Sequence, residues 1–422
     1  MLIKTKRRVV VTGLGALTPI GNNVEDYWQA LLEGKSGAAE ITNFDASKFK
    51  TRFACELKDI NIEEALGDRK LAKRTDPFIQ YAIIASDQAV KDAGLDEVSE
   101  DVKENIGVMW SSGIGGLKSL QDDITQFNQG NGTPRFSPLL VPKMIVDAAA
   151  GNISIRHGFK GITASVVTAC ASATHATSFA YDQIRFGRAD IIVVGGSEAS
   201  VTEVGIGSFS SLKALSTRND DPQAASRPYD KFRDGFVLGE GAGAIVLEEY
   251  EHAKARGAKI YAELAGTAIT SDAFHITAPD PDGTGAIRAM RMALECADLQ
   301  PEDIDYINTH GTSTPLGDVM EIRAVEQVFE GHLTNLNISS TKSMTGHLLG
   351  AAGAIEAVAC IKSIVEDIVP PTINQEELDE EMSPNINVTP NKAQKRIVNT
   401  ALSNNFGFGG HNSTIIFKKI KD

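Results

Sequence analysis

The chain has 422 residues, of which 42% are hydrophobic and 23% charged, and a formal net charge of −14. This profile fits a globular chain with a large core and excludes a disordered one. It also excludes a molecule-wide polyanion surface, because sequence-independent nucleic-acid binders are basic.

At the N-terminus, basic residues precede an apolar stretch, MLIKTKRRVVVTGLGALTPIG. The stretch is short and glycine-broken, with no small-residue cleavage site, so residues 8–12 read as a strand and not as a signal peptide. Glycines in TGLGALT (12–18) begin like a dinucleotide fingerprint, but the third position is Thr18 and no acidic residue follows at ribose distance. EGKS (33–36) ends like a P-loop, yet its first glycine would fall on Gln29. The histidines have no HExxH spacing, and no Gly-x-Ser-x-Gly elbow occurs. Neither a catalytic metal nor a cofactor is expected. No run reaches the ~18 apolar residues of a membrane span, so membrane insertion is not expected either. Cysteines at 55, 170, 296 and 360 form no CxxC pair, which fits a reducing, cytoplasmic setting.

Further along, Arg69, Lys70, Lys73 and Arg74 cluster ahead of a helical pattern at 77–93, apolar at 78, 79, 82, 83, 89 and 90 and stopped by Gly94. Continuous apolar runs at 162–167, 191–194, 244–247, 306–308 and 414–417 suit strands buried on both faces. Helical patterns at 286–297 and 353–365 lie between them. Alternating strands and helices argue for an α/β architecture, with a break near 256–262.

VVTACASATH (166–175) places Cys170 where an apolar run gives way to a helix of small residues. Most cysteines are structural. At a helix N-terminus, however, unpaired N–H groups and the dipole favour the thiolate, and a strand–turn–helix junction projects its side chain as a nucleophile elbow does. NTHGTSTP (308–315) and SSTKSMTGH (339–347) each put a histidine, His310 and His347, in a hydroxyl-rich loop after an expected strand. Acyl transfer needs such a set: a nucleophile and donors for an oxyanion. NFGFGG (405–410) reads as a flexible loop whose amides could complete the oxyanion site.

With VVTACASATH, NTHGTSTP, SSTKSMTGHLLGAAG and NNFGFGGHN in this order, the chain resembles the β-ketoacyl-[acyl-carrier-protein] synthases of fatty-acid synthesis, type II in particular. The likeness runs from VVVTGLGALTPIG to TIIFKKI. It implies an α/β thiolase-like fold of two similar αβαβα halves forming a five-layered core. Residues 1–257 would form the half that carries Cys170 and cap insertions, and 258–422 the half that carries His310 and His347. A homodimer is implied as well.

The resemblance casts Cys170 as the acyl carrier and His310 and His347 as donors to the malonyl thioester oxygen. It implies a catalytic Lys342 paired with Glu356, a carboxylate among apolar helix residues that needs a partner. Phe408 would supply an oxyanion N–H and act as a gate over the cysteine. Ile114 in SSGIGG (111–116) would gate the acyl pocket, and Thr312 and Thr314 would bind the pantetheine arm. Trp110 stands where a smaller residue is expected, which leaves pocket length open.

The partner implied is acyl carrier protein, which is acidic, so docking on this acidic chain requires a local basic patch. Lys70, Lys73 and Arg74 would supply it, joined through the resemblance by Arg135 and Lys213. A coenzyme A thiolase is disfavoured, because NNFGFGGHN lacks the second cysteine that thiolases use as a base. A non-catalytic chain-length partner would lack Cys170. A type II polyketide ketosynthase shares all three residues and stays open.

Overall fold

The computed structural model describes residues 7–131 and 133–420. Ten strands form the main sheet: β1 (Val9–Leu17), β2 (Ile106–Ser111), β3 (Thr163–Ala164), β4 (Ile191–Glu198), β5 (Gly241–Glu249), β6 (Ala262–Ser271), β7 (Tyr306–Asn308), β8 (Asn337–Ser339), β9 (Thr400–Gly407) and β10 (His411–Lys418). They fall into two five-stranded units of one design, ordered β1-β5-β4-β2-β3 and β6-β10-β9-β7-β8. In each unit the first two neighbouring pairs are antiparallel and the last two parallel. The units meet where Val9, Val10 and Val11 pair with Leu264, Glu263 and Ala262.

Side-chain alternation sorts the core into layers. Ile192 and Val194 of β4, with Ala401 of β9 and Ile415 of β10, face a shared middle layer. Ile191 and Val193 face one outer layer, and Leu402 and Ile416 the other. The middle layer holds helices α2 (Ser172–Arg185) and α5 (Ala352–Glu366), both rich in small residues. They approach closely enough that a Cβ on Gly353 would lie 2.0 Å from Thr174 Oγ1. Helix α1 (Pro77–Asp92) covers the first unit, started by the Asp76 cap and by Pro77 in the first turn. Helices α3 (Thr284–Ala297) and α4 (Pro315–Phe329) cover the second. The result is five layers. No helix among the described residues is long and apolar enough to cross a membrane.

The two middle helices begin alike. A 3₁₀ turn, Ala169–Ala171, precedes α2, and another, Leu349–Ala351, precedes α5. Each opens on a left-handed non-glycine residue, Ala169 at φ +50° and Leu349 at φ +46°. Such residues are strained and persist only where the surroundings over-determine them.

Two sequence expectations need correction. The run 162–167 is not a buried strand: only Thr163–Ala164 pair, with Val108 and Met109, at the end of the sheet. Ile162 and Val167 stay exposed because no strand or helix among the described residues covers that edge. NFGFGG is not wholly a loop either. Asn405, Phe406 and Gly407 finish β9, and only residues 408–410 turn before His411 opens β10.

Candidate active site

Cys170, His310 and His347 line one cavity of about 420 Å³, together with Thr312, Thr314, Phe406 and Phe408. Cys170 is half-buried and is raised to the cavity by the strained Ala169 turn. The end of β9 presses against that turn: a Cβ on Gly407 would lie 2.5 Å from Thr168 O and 3.1 Å from Cys170 N. Only glycine lets the end of β9 approach the nucleophile turn this closely.

The rings of His310 and His347 stand 5.3 Å apart, centroid to centroid, at 86°. Phe236 flanks His347 edge-on, and Phe406 tilts against His310. The backbone fixes both histidines. His347 N donates to Val237 O at 2.7 Å. His310 N and Gly311 N donate to Glu321 at 2.9 and 2.7 Å. Burial, with Lys342 nearby, holds both imidazoles well below the usual histidine range. They are neutral at physiological pH, so each can present one N–H donor.

Cys170 departs from its sequence expectation. Burial pushes the thiol up to about 12, outweighing the pull of Lys342 and of its own backbone N–H, and Glu198 pushes further in the same direction. The resting site therefore holds a thiol where the helix N-terminus alone suggested a thiolate.

Lys342 and Glu356 are both fully buried and hydrogen-bonded to each other. Asn405 donates to the other Glu356 oxygen at 2.7 Å, and Thr174 hydrogen-bonds Asn405 in turn. Neither Lys342 nor Glu356 lines the cavity.

Thr312 and Thr314 hydroxyls sit 3.0 Å apart on the cavity wall. Ile114 does not reach the cavity: it is 39% exposed, with its amide 3.3 Å from Glu198. Trp110 points the other way, into the layer under α1, and donates to Ser197 at 2.9 Å; it does not shorten this cavity. Lys213 lines the cavity, while Arg135, Lys70, Lys73 and Arg74 are exposed away from its lining. Lys70, Lys73 and Arg74 share the short helix Arg69–Arg74, capped by Asp68.

Glu198, at the end of β4, escaped the sequence analysis. Fully buried, it accepts from the amides of Gly113 at 2.7 Å and Gly350 at 3.0 Å and from two serine hydroxyls at 3.1 Å. Its signal was a carboxylate closing an apolar run. Glu321 was also missed; it lies on the α4 face beneath His310, and burial raises its carboxyl to about 7. Among the described residues no cluster could hold a metal ion.

Comparison with known proteins agrees with this geometry. The family model described as "Beta-ketoacyl synthase, N-terminal domain" matches residues 6–253, and "Beta-ketoacyl synthase, C-terminal domain" matches 261–376. The chain is 52% identical over 414 residues to 3-oxoacyl-[acyl-carrier-protein] synthase 2 of Synechocystis sp., covering 98% of both chains. It is 49% identical over 419 residues to the protein of that name from Vibrio harveyi, covering 99% of this chain and 100% of that one. Among solved structures, a beta-ketoacyl synthase from Burkholderia phymatum superposes with a TM-score of 0.90 at 35% identity, covering 98% of this chain and 100% of the other. A type II polyketide acyl-carrier protein in complex with its ketosynthase gives a TM-score of 0.89 at 35% identity, covering 99% and 100%.

Proposed function

Because this chain belongs to the beta-ketoacyl synthase family, we propose that it condenses a Cys170-bound acyl chain with malonyl-[acyl-carrier protein]. The products are 3-oxoacyl-[acyl-carrier protein] and CO2, in fatty-acid elongation. The observation that carries this is the convergence of Cys170 and two neutral, backbone-fixed histidines on one cavity.

The Cys170 sulfur attacks the acyl thioester, the carrier's sulfur departs with the thiol proton, and the acyl group stays on Cys170. The amides of Cys170 and Phe408 hold the oxyanion of that step. In the second half-reaction, the malonyl thioester oxygen accepts hydrogen bonds from His310 and His347. The C–C bond to the carboxylate breaks, CO2 leaves, and the electron pair becomes an enolate steadied by those donors. Its carbon attacks the acyl thioester, and Cys170 leaves as a thiolate that takes a proton from water. A neutral donor pair suits a developing enolate, because each N–H is aimed before charge appears. Lys342, held by Glu356, adds to burial in keeping both rings neutral. Phe408 gates the cysteine, and Thr312 and Thr314 receive the carrier's arm.

Residues 1–257 would contribute the nucleophile and 258–422 the donors. Lys70, Lys73, Arg74, Arg135 and Lys213 would dock the acidic carrier. A homodimer would cover the open β3 edge beside Ile162 and Val167. Four free cysteines accord with a cytoplasmic location. Fatty-acid elongation is favoured over a polyketide role by the higher identity of the relatives named for the former.

Intact-protein mass spectrometry after incubation with acyl-carrier proteins of graded chain length tests the assignment. One acyl adduct should form on Cys170 and disappear when malonyl-carrier protein is added, with CO2 and a 3-oxo product. No adduct at any chain length overturns it.

A further inference from the structure

Ser313, between the two cavity threonines, has a left-handed backbone at φ +69°. A serine there is strained and must be held by its surroundings. Its amide donates to Asp318 at 3.1 Å, its hydroxyl accepts from Arg227 N at 3.0 Å, and its carbonyl accepts from Gly235 N at 3.1 Å. The next two carbonyls are held by one side chain. Arg233, 6% exposed, donates from Nε to Thr314 O at 3.1 Å and from Nη2 to Pro315 O at 2.8 Å. Its Nη1 donates to Asp230 O at 2.8 Å and to Asp379 Oδ2 at 2.6 Å. Asp318 lies 3.6 Å from Nε and adds countercharge.

We propose that Arg233, fixed by Asp379, is a positioning residue that locks the 312–315 turn so that the Thr312 and Thr314 hydroxyls are preset side by side for the carrier's pantetheine arm. This rests on the proposed function, since it presupposes that arm. The planar guanidinium is what the position demands: its donors form a rigid fork that reaches two consecutive carbonyls and a carboxylate together. Lysine would offer a single charge centre and could not hold both carbonyls in register. Binding energy from the non-reacting arm would fall first, so the loss should appear in KM before kcat.

The test compares R233K, D379N and T314A with the wild-type enzyme, using malonyl- and acyl-carrier proteins as substrates. Cys170 alkylation by iodoacetamide, which needs no arm, is followed in parallel. R233K should raise KM for carrier-bound substrates about tenfold and lower kcat less than about threefold. D379N should do the same to a smaller degree, and both should alkylate at the wild-type rate. If T314A raises KM while R233K and D379N do not, the positioning role is refuted and the proposed function stands. Equal loss of kcat and of alkylation in R233K and D379N also refutes it, since general disorder would then be the cause. Should R233K fail to fold, D379N alone decides by the same criteria. A wild-type enzyme without condensation activity would instead strike down the proposed function.

Discussion

His310 and His347 face each other nearly perpendicular, 5.3 Å between ring centres, in a pocket that keeps both uncharged. Two donors in this relation can share one oxygen without repelling each other as a pair of imidazolium ions would. In the proposed reaction this arrangement would stabilise an enolate without first charging either ring.

Cys170→Ala should abolish condensation, since no thioester can form. Cys170→Gln should keep malonyl decarboxylation, because both histidines remain. Loss of 3-oxo product with continued CO2 release is the expected pair of results. Background CO2 release from the glutamine variant would remove the histidines from the decarboxylation step.

The depressed histidine pKa values fix a pH dependence. Folded His310 and His347 titrate below the ordinary 6.5, so decarboxylation should show no acid limb near 6.5 and should fall only in more acidic buffer. For stability the sign is the same. Below 6.5 the unfolded state binds protons that these folded histidines refuse, so their contribution to stability is lost as pH falls. Lys342→Met removes a charge that lowers both values and should move the acid limb upward. An unmoved limb in a folded variant would deny Lys342 this influence.

The high Cys170 value predicts slow alkylation at neutral pH. Iodoacetamide modification should still be accelerating at pH 9.5, with no plateau near 7, because burial pushes the thiol to about 12. A plateau near neutrality would restore the thiolate expected from the helix N-terminus.

Glu356→Ala would leave the Lys342 ammonium buried and unpaired. Breaking a buried pair from one side costs about 3–5 kcal/mol, and thermal unfolding should register it. Gly407→Ala is a sharper probe of the nucleophile turn, because its methyl would lie 2.5 Å from Thr168 O. Acylation of Cys170 should drop at least about tenfold, as the turn or the β9 end must shift. Wild-type acylation would mean the contact relaxes freely.

Charge reversal at Lys70 and Lys73 should raise KM for carrier-bound substrates and leave small thioester analogues unaffected, with an effect that weakens as salt is added. Equal effects on both substrate types would disqualify this helix as a dock.

The three residues that converge on the cavity were legible because their signals are local. Cys170 sits at a composition change, and His310 and His347 follow short strands among hydroxyls. That Glu356 needs a partner was legible in its alanine-rich helix; that the partner is Lys342 came from the family resemblance. What stayed hidden depends on long-range packing. Glu198 binds segments around Gly113 and Gly350 that are far apart in the chain. The state of the Cys170 thiol follows from how much protein surrounds it, which helix position does not reveal. The direction of Trp110 depends on strand register, and a single-residue shift would have turned it into the middle layer.

The matching strained turns before α2 and α5 bear on how many reactive groups one chain can carry. The position equivalent to Cys170 in the second turn is Gly350, where a Cβ would lie 2.1 Å from the amide nitrogen of Gly113. The repeat thus offers two similar turns and room for one side chain: the first carries Cys170, and the second is bare where the Gly113 loop packs against it. A side chain at position 350 would drive its Cβ into that amide, so Gly350→Cys should lower the melting temperature and slow acylation of Cys170.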